Sequence, residues 1–259
     1  MISSQELALK IKDKHYDKNK NNYGDKVWFL MEPDGKLQNN VTRWTKKEIG
    51  KKYNEIFKCP GKYCIRNVWA GESMLILNQM LMSGMSPNHH DLDMAVDQGF
   101  PSIVDKILEF DGINVNGRCY NGRTPLHTCI IRTSNIKILC SLIAAGADFS
   151  IQDNDGNTPL YDIVLFNRKW PSWIPDLVID HLEIYDYNKI NKSGLTILWM
   201  ATYCNLLDVV KKLLDKGCDP SIKSKDCGRS STDLVISIKD RNKDNADEFI
   251  NLFQERKII

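Results

Sequence analysis

Residues 121–129 read NGRTPLHTC and residues 155–163 read DGNTPLYDI. In both, a Gly is followed by one variable residue and then Thr-Pro-Leu. Two more stretches keep the outline: SGLTILWMA from Ser193 and CGRSSTDLV from Cys227. Their glycines, Gly122, Gly156, Gly194 and Gly228, lie 34, 38 and 34 residues apart (156−122, 194−156, 228−194). Self-similarity at such a period marks a stack of small helical units rather than one globular core.

A second half of the unit also recurs. LIAAGADFS from Leu142 and LLDKGCDPS from Leu213 share two apolar residues, a gap of two, Gly, and Asp two later. ILEFDGINVN from Ile107 and MLMSGMSPN from Met80 are looser copies. Upstream sit the apolar pairs Val209-Val210, Ile103-Val104 and Ile76-Leu77, at the spacing of one helix face. The residue types follow from local physics. The Gly before Thr permits a tight turn. Thr124 and Thr158 can cap a helix, with Pro125 and Pro159 at its first position, where a missing N–H costs nothing. Leu126, Leu160 and Leu198 are placed to face the next unit. Gly146 and Gly217 end the second helix in a left-handed conformation. One such unit cannot bury its own apolar face, whereas a stack can.

These patterns predict four fuller units, at about 89–116, 117–150, 151–187 and 188–221. A degenerate unit at about 61–88 precedes them, and a fifth, 222–259, follows. The helix expected from Ala246 has a charged exterior (Asp247, Glu248, Gln254, Glu255), as a terminal cap requires. Residues 1–60 do not fit the repeat. Residues 1–22 read as a lysine- and asparagine-rich tail with little to bury. VWFLMEPDGKL from Val27 places apolar stretches around a turn, a small hairpin. TKKEIGKKYNEIF from Thr45 has helical spacing and a capping box, Thr45 with Glu48. The preferred role of this segment is to cover the first unit's apolar face; a part in a binding site is the alternative.

Composition is that of an ordinary folded chain: 42% hydrophobic, 26% charged, net charge +2. That balance gives no global pull toward nucleic acid or an anionic membrane. Residues 1–62 are locally basic, with 14 Lys and Arg against 8 Asp and Glu, a net of +6. No stretch approaches the roughly 20 apolar residues of a membrane span, and the start lacks the apolar run of a signal peptide. The eight cysteines form no CxxC, and Cys59 with Cys64 finds no second pair. Free thiols in a reducing compartment fit best.

Chemistry is sparse. There is no Walker loop, GxGxxG or HExxH. Ser73 in GESML has a setting loosely like a nucleophile elbow, without the second Gly. His89-His90-Asp91 invites a metal reading, but a polar loop between units accounts for it without partner spacing. No catalytic residue, no metal ligand and no cofactor is assigned, and an enzyme is not expected.

A period near 33 residues with a Thr-Pro-Leu-His core resembles the ankyrin repeat. The resemblance implies an all-α ankyrin-repeat solenoid over 61–259, with 1–60 as a non-ankyrin front piece. It implies a structural role for His127, bonding the turns of adjacent units, and partner binding through loop tips and inner helices. The candidate partner-binding residues there are Tyr120, Asn121, Arg123, Arg132, Asn154, Phe166, Lys192 and Tyr203; Tyr and Arg are common interface anchors. The third unit adds NRKWPSWIPD from Asn167. Its Trp170 and Trp173 join the candidate partner-binding residues, either as exposed hot-spot aromatics or, in the alternative, packed back on the stack.

Degenerate repeats, Ile/Lys/Asn/Asp-rich composition and irregular insertions together resemble the poxviral, orthopoxvirus-type ankyrin-repeat proteins, in a short or truncated form. That resemblance implies a host-range or immune-evasion role in the host cell cytoplasm. The implied partner is a host innate-immune or cell-death signalling protein, such as a necroptosis kinase or an NF-kappa-B component. Longer relatives end in an F-box-like segment that recruits a ubiquitin-ligase adaptor; nothing after the fifth unit matches it, so that partner is expected only of a longer form. The alternatives are a cellular-type ankyrin scaffold unrelated to defence, or nucleic-acid binding through the basic N-terminus.

Overall fold

The computed structural model describes residues 6–11, 86–182, 185–240 and 246–259. The backbone there forms helices and turns, with no strand among the described residues. Helices come in pairs. The first is α1 (His89–Asp97) with α2 (Pro101–Leu108), and the second is α3 (Pro125–Thr128) with α4 (Ile136–Ala144). The third is α5 (Pro159–Leu165) with α6 (Trp173–His181), and the fourth is α7 (Ile197–Tyr203) with α8 (Leu207–Asp215). The fifth is α9 (Ser231–Asp240) with α10 (Ala246–Glu255).

First helices stack on one another along the chain, α1 on α3, α3 on α5, α5 on α7 and α7 on α9. Second helices form the other layer, with α2 on α4, α6 on α8 and α8 on α10. Leu126, Leu160 and Leu198 are fully buried between the layers. Each offers its neighbour roughly 1.5–3 kcal/mol of apolar burial, which one unit alone could not realise.

The local signals act as expected. Thr158 Oγ1 accepts from the Tyr161 N–H at 3.2 Å, and Thr196 Oγ1 from the Trp199 N–H at 3.1 Å. Pro125 and Pro159 occupy first helical positions. Asn135 caps α4, its Oδ1 accepting from the Lys137 N–H at 3.0 Å. Gly146 ends α4 at φ +86°, where an L side chain would be strained. On α10, Phe249 and Phe253 are buried, while Asp247, Glu248, Gln254 and Glu255 are exposed.

One expectation is corrected. Within the stretch read as a tail with little to bury, residues 6–11 are helical, and Leu7, Ala8 and Ile11 join the hydrophobic core. Their i, i+1, i+4 spacing is one helix face, too short to stand out beside the surrounding lysines. The predicted hairpin from Val27, the helix from Thr45, Ser73, the Cys59–Cys64 pair and nearly all of the unit at 61–88 lie outside the described residues. No helix among the described residues is long and apolar enough to cross a membrane.

Candidate partner-binding surface

The loop tips form a hydrogen-bonded ladder. The Asn154 N–H donates to the Asn121 carbonyl, the Lys192 N–H to that of Asp155, and the Lys225 N–H to that of Ser193, each at 2.9 Å. Gly122 lets two tips approach, since a Cβ there would collide with the Asn154 side chain. Asn121 takes φ +58°, a left-handed value that Asn tolerates, and its Nδ2 donates to Asp155 at 3.3 Å. Thus Asn121, Asn154 and Lys192 hold the stack with their backbones, while the side chains of Asn154 and Lys192 are exposed.

A second ladder runs beneath the tips. The His127 Nδ1 accepts from the Thr124 N–H at 3.1 Å, which places the ring proton on Nε2, facing the Asn157 carbonyl at 3.1 Å. Burial pushes the His127 pKa down to about 4, so the ring is neutral near pH 7. Tyr161 holds the same place in the third unit, and its side chain pairs with Asn191. In the fourth unit it is Trp199, whose indole N–H donates to the Arg229 carbonyl at 3.2 Å. Three chemically different rings each reach the next tip, thirty residues on (127 to 157, 161 to 191, 199 to 229). Asp233 holds the place in the fifth unit and turns back, accepting from the Ser230 N–H at 2.9 Å. The sequence reading identified this role for His127 alone. The alignment TPLH, TPLY, TILW carried the signal for the other two.

Arg123 is half-buried beside this arrangement. Its Nε lies 3.5 Å from Asp153 Oδ2, a carboxylate with no exposed side-chain surface. Asp153 Oδ1 accepts from the Asp155 and Asn157 N–H groups at 2.9 and 3.0 Å. Nearby Asp162 is buried in α5, with an Oδ2 that has no hydrogen-bond partner. Burial, reinforced by Asp153, pushes its pKa up to about 8 against the pull of Arg123. Arg123 thus reaches across to the next unit's buried Asp153, with 28% of its own side chain exposed.

The ends of the first helices offer a different set. Tyr120 at the tip is 61% exposed, and Tyr203 at the end of α7 is 59% exposed. The Tyr203 ring stacks on Trp199, with centroids 5.4 Å apart. Arg132 is exposed and donates from Nε to Asp97 at 3.0 Å, across to the first pair. Phe166 is half-buried, with the Lys169 ammonium 5.1 Å from its ring centre. Leu165, one position before it, is also exposed.

Trp170 corrects the hot-spot reading. It is 5% exposed, and its indole N–H donates to the Ile130 carbonyl at 3.3 Å. Trp173 is half-buried and packs against the core. The insertion folds back on the preceding unit, because a large aromatic gains more from burial than from display on a surface. His89 and His90 also differ from expectation. They begin α1 rather than lie in a loop, and Asp91 serves as a cap, accepting from the Asn88 N–H at 2.8 Å.

Comparison with known proteins gives a consistent picture. A family model for ankyrin repeats, in three copies, matches residues 92–170 and 134–224. An ankyrin repeat protein of Acanthamoeba polyphaga mimivirus is 32% identical over 130 residues, covering 46% of this chain and 18% of that protein. An ankyrin repeat protein of fowlpox virus is 36% identical over 101 residues, covering 38% of this chain and 28% of that protein. A nuclear factor NF-kappa-B subunit of Gallus gallus is 27% identical over 125 residues, covering 48% and 12%. The chain spans less than a third of the length of each of these relatives. With the repeat model matched across a little over half of its residues, and with paired helices stacked through both ladders, the chain belongs to the ankyrin-repeat family.

Proposed function

We propose that this chain captures a host signalling protein of innate immunity or cell death, in the manner of the poxviral ankyrin-repeat proteins. The observation that carries the reading is the exposed row at the first-helix ends and tips: Tyr120, Arg132, Leu165 and Tyr203. None of their rings or head groups is buried in building the stack, and Tyr and Arg are the residue types that most often anchor an interface. The similarity to ankyrin repeat proteins of two viruses supports the host-directed part of the reading. Asn154, Lys192 and Phe166 flank the row as secondary contacts. In this reading 61–259 is the binding domain, 1–60 caps it, and capture takes place in the host cytoplasm.

The experiment is affinity purification from host cells with the intact chain, alongside a variant carrying Tyr120→Ala, Arg132→Ala and Tyr203→Ala. The expected result is a host innate-immune or cell-death protein recovered by the wild type and lost by a variant of unchanged melting temperature. Recovery of no such protein, or equal recovery by both, overturns the reading.

A further inference from the structure

The start of α1 and the tip of the next unit bring together a set of side chains that the protein-binding function leaves unused. His89 and His90 are the first two residues of α1, and their rings lie 4.2 Å apart between centroids, tilted by 36°. Cys119 enters from the second unit, one residue before the turn Tyr120–Gly122. Its thiol donates to the His89 carbonyl at 3.7 Å. Gly117 admits the His89 ring at close range, since a Cβ there would collide with it. One ligand atom from each of His89, His90 and Cys119 lies within 4.8 Å of the others. Around a tetrahedral zinc ion, nitrogen and sulfur ligands sit about 3.3–3.6 Å apart, from bond lengths of roughly 2.0–2.3 Å. Small side-chain rotations of the exposed His90 and half-buried His89 close that difference.

An independent observation points into the same place. Asp93 lies one turn after His89, on the same face of α1. Its carboxyl is hydrogen-bonded to the Thr128 side chain and the Cys119 thiol, yet its Oδ1 is buried with no hydrogen-bond partner. A buried carboxylate oxygen without a donor is costly, and a thiol is only a weak one. A cation between the two groups removes that cost.

We propose that His89, His90 and Cys119, with Asp93 beside the thiol, form a structural zinc site that ties the first described helix pair to the second. Two imidazoles and a thiolate, with a carboxylate alongside, suit a borderline-soft divalent ion with tetrahedral preference, and disfavour magnesium or calcium, which take oxygen sets. The ligands come from adjacent units, so the ion bridges them as a staple. Solenoid units hold only to their neighbours, so a staple there stabilises the stack where it joins its first described pair. The motif escaped the sequence reading because the thiol is contributed thirty residues from His89 (119−89).

The test uses the intact chain, stripped with a chelator and titrated with cobalt(II) and then zinc. The wild type is expected to bind one cobalt with a thiolate-to-cobalt charge-transfer band and tetrahedral d–d bands, which zinc bleaches. Zinc should raise its melting temperature by several degrees. Cys119→Ser should lose the charge-transfer band, and His90→Ala, at an exposed position, should weaken cobalt binding at least tenfold while leaving the metal-free melting temperature unchanged. The band should survive in the Cys59→Ser/Cys64→Ser chain. The proposal fails if the wild type shows no thiolate band, or if the band depends on Cys59 and Cys64. It also fails if the zinc-induced shift is unaltered in His90→Ala, a reading that stands even if Cys119→Ser does not fold.

Discussion

The second and third units begin alike and end their first helices differently. Both open with Thr-Pro-Leu and a ring that reaches the next tip. After α3, however, the second unit widens into a π-turn over Cys129–Thr133, with Ser134 left-handed at φ +48°. The third unit keeps α5 regular and then adds the Asn167–Lys169 turn and Trp170. The two irregularities fit each other. The Lys169 ammonium donates to the Ile131 carbonyl at 2.6 Å, and the Trp170 indole to the Ile130 carbonyl at 3.3 Å. Carbonyls of the π-turn find donors in the insertion of the following unit. An insertion in a repeat protein commonly projects outward; this one straps its neighbour.

The largest way to break this comparison is Trp170→Ala. It removes a buried indole and its hydrogen bond to the Ile130 carbonyl, so a loss of about 3–5 kcal/mol is expected in chemical denaturation. A change within about 0.5 kcal/mol would mean that the insertion only decorates the surface.

Next comes His127→Ala, expected to cost about 2–3 kcal/mol by leaving the Thr124 N–H and the Asn157 carbonyl unmade. The same residue sets an acid limit. Its folded pKa of about 4 lies below the ordinary 6.5, so the unfolded chain binds more protons between those values. Stability from His127 is complete above about 6.5 and falls as pH drops toward 4. Melting scans of the variant should show that limb flattened.

The third unit sharpens the contrast with the opposite sign. Asp162 has an ordinary pKa of 3.8 and a folded value of about 8, so here the folded chain holds the extra proton. Its contribution is complete below about 4 and falls as pH rises toward 8. Asp162→Asn should gain about 1–2 kcal/mol at pH 8 and remove that slope. An unchanged slope would place the titration elsewhere.

The smallest stability effects belong to the strap's charged end and to the open surface. Lys169→Met should cost under about 1 kcal/mol, since its ammonium is exposed. Tyr203→Ala should stay within about 0.5 kcal/mol while weakening partner capture, separating the surface from the scaffold. A large loss of melting temperature there would mean that its stacking on Trp199 builds the fold.

How much of this was legible before the fold was known varies by residue. The paired helices were, because Gly before Thr, Thr-Pro at a helix start and Gly at its end act within a few residues. Tyr120 and Tyr203 were named as interface candidates from their positions at a tip and on an inner helix, and the structure leaves both exposed. The approach of Arg123 to Asp153 was not legible, because Asp153 lies in the next unit. Trp170 was left open between display and burial, and the carbonyl that decides it is forty residues away (170−130). Leu7 and Ile11 were hidden among lysines, though one helical turn brings them together in the core.

The amino-acid sequence by itself determined the repeat: its period, its turns, its caps and the apolar faces that force units to stack. Those are short-range effects of backbone sterics and side-chain spacing. The tertiary structure alone decided that three different rings share one reach across units, that the insertion straps a π-turn, and that Cys119 meets His89. Each of these joins residues thirty or more apart, and such pairs acquire an energy only once stacking brings them into contact.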